Sequence, residues 1–169
     1  MQGMQLDLNT KQTKEGQLLV TVAMGGNVMS KQVFDGTNGY ATTQGQKMAF
    51  TEDQKTAMQE EATTFIELQG AKAKLEGIES VNGADCYVIN FGAKSKHFYD
   101  TKTGLKTLYQ NTVKQGEQEL VTKRFLTDYK AVEGIQFPHA MSQSFGPQKF
   151  DFTVTEIKIN EAINPEDFK

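Results

Sequence analysis

The chain has 169 residues, a formal net charge of -3 and a hydrophobic fraction of 37%, which suits one domain with a buried core and lies above the disordered range. That charge, with Arg124 as the single arginine, excludes the basic footprint and bidentate phosphate grip of a nucleic-acid binder. No apolar run reaches the length of about 18 residues that a membrane helix needs, and the lone Cys86 excludes an internal disulfide.

The first residues carry neither a basic nor an apolar signal-peptide region and already alternate like a strand, so the expectation is either a signal peptide already removed or, the favoured reading, a piece of a longer protein. Residues 5–9 and 17–24 read as a first hairpin, with Leu18, Val20, Val22 and Met24 on one face of its second strand. Gly25-Gly26-Asn27 turns the chain into a strand over 28–34, and short strands follow over 40–43 and 47–50. At Thr51 the period changes. Thr51 and Gln54 make a capping box, Glu52 and Asp53 suit a helix N-terminus, and Ala57, Met58, Ala62, Phe65 and Ile66 give one apolar helical face. Thr63-Thr64 weakens or bends this helix, and Gly70 ends it or a second short one.

From Lys74 the pattern is strand again, over 74–80, 84–91, 94–99, 105–113, 117–129, 135–138, 141–145 and 148–160. Pro138 and Pro147 point to edges, ends or bulges. In the last segment Phe150, Phe152 and Val154 share one phase while Ile157 and Ile159 take the other, which predicts a bulge or a change of environment. Asn164-Pro165 opens a closing helical turn. An apolar or aromatic residue followed five positions later by glycine recurs at Phe34 to Gly39, Ile78 to Gly83, Tyr99 to Gly104 and Tyr129 to Gly134, and each reads as a tight corner. In the third, Asp100 bonds the amides ahead of it and Gly104 takes the positive φ.

The fold class is therefore mainly β: a single large curved antiparallel sheet of about 11 strands, unclosed, with the helical insertion on its concave face. Residues 1–169 form one domain. Cys86 and Val88 against Tyr87, Ile89 and Phe91 place apolar groups on both strand faces, which an overlying helix would bury, with room for an apolar cavity between sheet and helix.

Chemistry-bearing patterns are sparse. His97 and His139 belong to no metal-ligand spacing, and there is no Gly-x-Ser-x-Gly elbow, so no catalytic residue, metal or cofactor is expected. Neither glycine pair precedes a P-loop lysine. Arg124 shares its phase with Thr122 and Leu126; it either holds a lid from inside or makes a surface ion pair, the commoner arrangement. Met24, Met29, Phe34, Tyr40, Val88, Tyr99, Tyr109, Leu126 and Phe152 are the candidate lining of an apolar pocket for a lipid or acyl chain, although pattern alone favours an ordinary core.

Three ordered motifs carry a resemblance: Val81-Asn82-Gly83 running to Tyr87-Val88-Ile89, Phe98-Tyr99-Asp100-Thr101-Lys102-Thr103-Gly104-Leu105, and Asp128-Tyr129 running through Val132 and Gly134-Ile135 to Phe137-Pro138. They resemble the outer-membrane lipoprotein carrier (LolA-like) superfamily in the form common in Bacteroidetes. The resemblance implies an unclosed barrel whose helices cover a cavity for lipoprotein acyl chains, in the periplasm or at the outer membrane of a Gram-negative cell. The family's amino-terminal helix has no counterpart here. Phe34-Asp35-Gly36-Thr37-Asn38-Gly39-Tyr40 further resembles a carboxy-terminal domain that follows insulinase-type zinc peptidase modules, which implies upstream peptidase domains as partners and a zinc motif outside these residues.

Overall fold

The computed structural model describes residues 5–91, 95–115, 118–145, 148–161 and 163–169. The chain divides into two units, Met1–Ile66 with Glu161–Lys169, and Glu67–Asn160.

In the first unit β1 (Asp7–Gln12), β2 (Leu18–Met24), β3 (Asn27–Phe34), β4 (Gly39–Thr43) and β5 (Gln46–Ala49) form an antiparallel sheet in chain order. Alternation divides its apolar residues between two faces. On one, Leu18, Phe34 and Val20 pack with Phe50 and with Met58 and Ala62 at the end of helix α1 (Glu52–Glu61). On the other, Leu19, Val33 and Tyr40 pack with Ile163 and Phe168. Phe168 belongs to the 3-10 turn Pro165–Phe168, which Asn164 caps through its side chain. The Tyr40 hydroxyl donates to the Lys169 carbonyl (2.7 Å), and Lys11 pairs with Asp167 (2.7 Å), so the last residues are tied to this sheet.

The predicted capping box forms: Thr51 Oγ1 accepts from the Gln54 amide, and the Gln54 side chain accepts from the Thr51 amide. The helix is shorter than its periodicity implied. It ends at Ala62, ahead of Thr63-Thr64, and Phe65 takes the left-handed conformation (φ 52°) instead of joining the apolar face. β-branched residues are poor helix formers, because their side chains lose rotamer freedom against the preceding turn. A separate 3-10 segment, Ile66–Lys72, follows.

The second unit holds β6 (Lys74–Val81), β7 (Ala84–Asn90), β8 (Ser95–Asp100), β9 (Lys106–Gln115), β10 (Gln118–Val132), β11 (Ile135–Phe145) and β12 (Gln148–Thr153), again antiparallel and in chain order. The expectation of one continuous sheet is thus corrected to two, of five and seven strands, neither closed on itself. Each sheet grows hairpin by hairpin, and the helix with its 3-10 segment interrupts that growth between β5 and β6.

Two strands expected over 135–138 and 141–145 are one, with Pro138 opposite Tyr129. The pairing of β11 with β12 closes at Ala140 opposite Thr153, and Val154 N–H still donates to the His139 carbonyl (2.8 Å). Residues 154–160 are not strand, so the phase change at Ile157 lies beyond β12 rather than at a bulge. Irregularities fall elsewhere, at Leu75/Gly77 and Phe98/Tyr99.

Three of the four predicted corners use glycine for its positive φ, at Gly83 (84°), Gly104 (71°) and Gly134 (84°). Gly39 serves by lacking a side chain. A Cβ there would lie 2.4 Å from the Phe50 ring and 2.5 Å from the Val33 carbonyl. Gly39→Ala should therefore cost about 1–3 kcal/mol by overpacking, read as a lowered urea midpoint. Gly70→Ala, which meets open space, should stay within about 0.5 kcal/mol of the parent.

Candidate functional site

The seven-stranded sheet presents two chemically different faces. One is a packed core of Val81, Cys86, Val88, Phe98 and Leu108 with Phe125 against it. Cys86 is fully buried, with Sγ 3.3 Å from Thr107 Oγ1, as a small core residue would be.

The other face is set by a single transverse row. Register places Leu75, Ile89, His97, Tyr109, Arg124, Gln143 and Phe150 side by side, one from each strand. The next row along β10, β11 and β12 is Leu126, Met141 and Phe152, all half-buried. The row has apolar ends and a polar, aromatic middle. Arg124 Nε donates to Gln143 Oε1 (3.0 Å), and its guanidinium lies 5.9 Å from the Tyr109 ring centre.

At the middle stands His97, 4% exposed. Its ring meets Phe91 and Tyr109 edge-on, each at 5.1 Å, and lies parallel to Tyr99 at 6.5 Å. Nδ1 is buried without a hydrogen-bond partner, and Nε2 is 3.5 Å from the buried Ser95 hydroxyl. Burial, reinforced by the nearby Lys106 ammonium and only partly opposed by Glu67, depresses its pKa to about 4. The imidazole is neutral at pH 7.

Beside it the 3-10 segment is clasped to the sheet by Glu67. One carboxylate oxygen accepts from the Tyr99 hydroxyl (2.7 Å) and pairs with Lys106 Nζ (2.7 Å). Burial alone would raise the Glu67 carboxyl, but Lys106 and the Tyr99 hydroxyl outweigh it and hold it below the usual carboxylate range. Burial and the Glu67 bond push the Tyr99 phenol upward. Tyr129, whose hydroxyl donates to the Lys106 carbonyl (2.6 Å), is pushed up to about 12 by burial and the Glu67 charge.

This constellation is poor catalytic equipment. The Ser95–His97 contact, at 3.5 Å, is longer than the usual bond between a nucleophile and its base. Among the described residues no group of three His, Cys, Asp or Glu side chains could hold a metal, and no helix is long and apolar enough to cross a membrane. His139 is separate, with Nδ1 3.0 Å from the Phe137 carbonyl.

The sequence-predicted lining residues are distributed over both units. Met24, Met29, Phe34 and Tyr40 lie in the first, where Phe34 is core, Tyr40 is bonded to Lys169, and Met24 and Met29 are exposed. Val88, Tyr99, Tyr109, Leu126 and Phe152 lie in the second. Val88 faces the packed core, whereas Tyr109 and Leu126 share the mixed face with Phe152, and Tyr99 stacks on His97 there. Reading the strands one at a time missed Glu67, Lys106 and Met141. Pairing the Tyr99 and Tyr129 corners with their partner strands was the signal available for Lys106; Glu67 had none. A cleft of about 320 Å³ in the first unit is lined by polar groups, including Thr37, Asn38, Lys55 and Gln59.

The mixed face makes stability depend on acid. Unfolded His97 would take a proton near its ordinary 6.5, whereas the folded site resists until about 4, so the unfolded state binds more protons in that window. Stability is full above about 6.5 and falls toward 4 by up to about 3 kcal/mol, with Glu67 adding loss lower still. Denaturant midpoints measured across that range should drop, and His97→Phe should flatten the drop.

No family model and no curated protein matches the chain. Its fold resembles that of a LolA superfamily protein from Nitrosomonas europaea, at 9% identity and a TM-score of 0.55 over 89% of this chain and 78% of that one. It also resembles a DUF1329 family protein from Desulfovibrio piger, at 12% identity and a TM-score of 0.59 over 97% and 80% of the two chains. The fold is LolA-like.

Proposed function

We propose that the chain is a non-catalytic binding module for an acyl chain, a lipopeptide or another extended apolar segment. The observation that carries this reading is the mixed face of the second sheet. Leu126, Met141 and Phe152 line up across three strands beside the aromatic middle of the longer row, and all three stay half-buried rather than sealed in a core. Apolar binding is non-directional, so such a strip needs shape and area more than placed polar groups. The LolA-like fold is consistent with this use, and the motif resemblance supports acyl chains as the ligand class. On the same resemblance the module belongs to a longer periplasmic or outer-membrane-associated protein of Bacteroidetes type, one domain carboxy-terminal to insulinase-type zinc peptidase modules. A zinc-peptidase motif encoded in frame upstream is what that part of the reading requires.

A second reading, a module that docks on those peptidase domains without a small ligand, draws on the first sheet. Leu8 and Met48 are exposed on the face that also carries α1.

The chain contains no tryptophan, so Leu126→Trp provides a single reporter on the strip. A brominated long-chain fatty acid should quench its emission saturably, and Phe152→Glu in the same background should weaken the effect at least about tenfold, the equivalent of roughly 1.4 kcal/mol. Absence of quenching, with no lipid retained in a native mass spectrum of the parent, would leave the docking reading.

A further inference from the structure

We infer that the segment 67–72 is an acid-released latch on the mixed face of the second sheet, with His97 as its trigger. Among the described side-chain bonds, those joining this segment to the strands converge on one residue: Glu67 accepts from Tyr99 and pairs with Lys106. Tyr99 in turn lies parallel to the His97 ring. The imidazole and the clasp therefore share a side chain and a local field.

Charged and neutral groups reach His97 from several elements. From β9 come Lys106 and the neutral Tyr109, from β10 comes Arg124 across the Tyr109 ring, and from the 3-10 segment comes Glu67. Within β8 lie Tyr99 and Ser95, and β7 leads to the neutral Phe91. Glu67 is thus already engaged by Lys106 and Tyr99. A proton on His97 adds a positive charge beside Lys106, 96% buried among aromatic rings and with one nitrogen unpaired in the neutral form. Charge in such a place is costly unless it is hydrated or paired. The arrangement least expensive to undo is the Glu67 clasp, because opening it admits water to His97 and Lys106 together and frees the carboxylate to face the imidazolium. The strands themselves keep their ladders.

The latch can be read without any ligand, so its failure is distinct from failure of the binding proposal. Leu68 is 84% exposed, and Leu68→Trp places a sole indole on the segment. On titration from neutral pH to about 4, its anisotropy should fall with a midpoint between about 4 and 6.5, while far-UV circular dichroism keeps its sheet signal. His97→Phe in that background should lower the midpoint by at least about one pH unit. If that variant does not fold, Lys106→Met should raise the midpoint, because it removes the cation that opposes protonation. An unchanged midpoint in the variant that folds overturns the assignment of the trigger. Loss of anisotropy together with the sheet signal overturns the latch itself.

Discussion

In both sheets the ladders pair each strand with its neighbours in chain order, so the geometry of each corner decides which side chains stand together. A slip of one residue at any hairpin would send the partner strand's side chains to the opposite face. The row from Leu75 to Phe150 exists because six successive pairings keep phase. Asp100 pins one of those pairings by accepting from the amides of Lys102 and Thr103, which also lowers its own carboxyl pKa.

That register separates two kinds of burial. Val88, Phe98, Leu108 and Phe125 form a row of hydrocarbon, where packing alone suffices. One residue out of phase, the same strands bury His97 and Ser95. Such polar burial contributes little to net stability and leaves Nδ1 without compensation. Groups of that kind mark places where a structure gives up stability for another property, and the nearby Glu67–Lys106–Tyr99 clasp lies where that property would be used.

Likeness at 9% and 12% identity speaks to architecture; what the module binds has to be argued from side chains. Here they offer a half-exposed apolar strip, a neutral ring and a satisfied ion pair. The electrostatics bear on control, since they make one face sensitive to protons between about pH 4 and 6.5.

Local chemistry was legible in the residues themselves. The Thr51–Gln54 capping box, the Asp100–Gly104 turn, the Asn164-Pro165 helical start and the antiparallel meander all depend on groups a few positions apart, so sequence alone determined them. The helix stop before Thr63 was half legible from its β-branched pair, whereas the end of β12 opposite Ala140 depends on a distant partner strand. What only the tertiary structure decided was pairing across distance. The division into two sheets, the role of Gly39 against Phe50, and the meeting of Glu67 with Tyr99 and Lys106 all join residues whose spacing carries no periodic signal. Periodicity reports which face a side chain takes; the accumulated register of several hairpins determines what waits for it there.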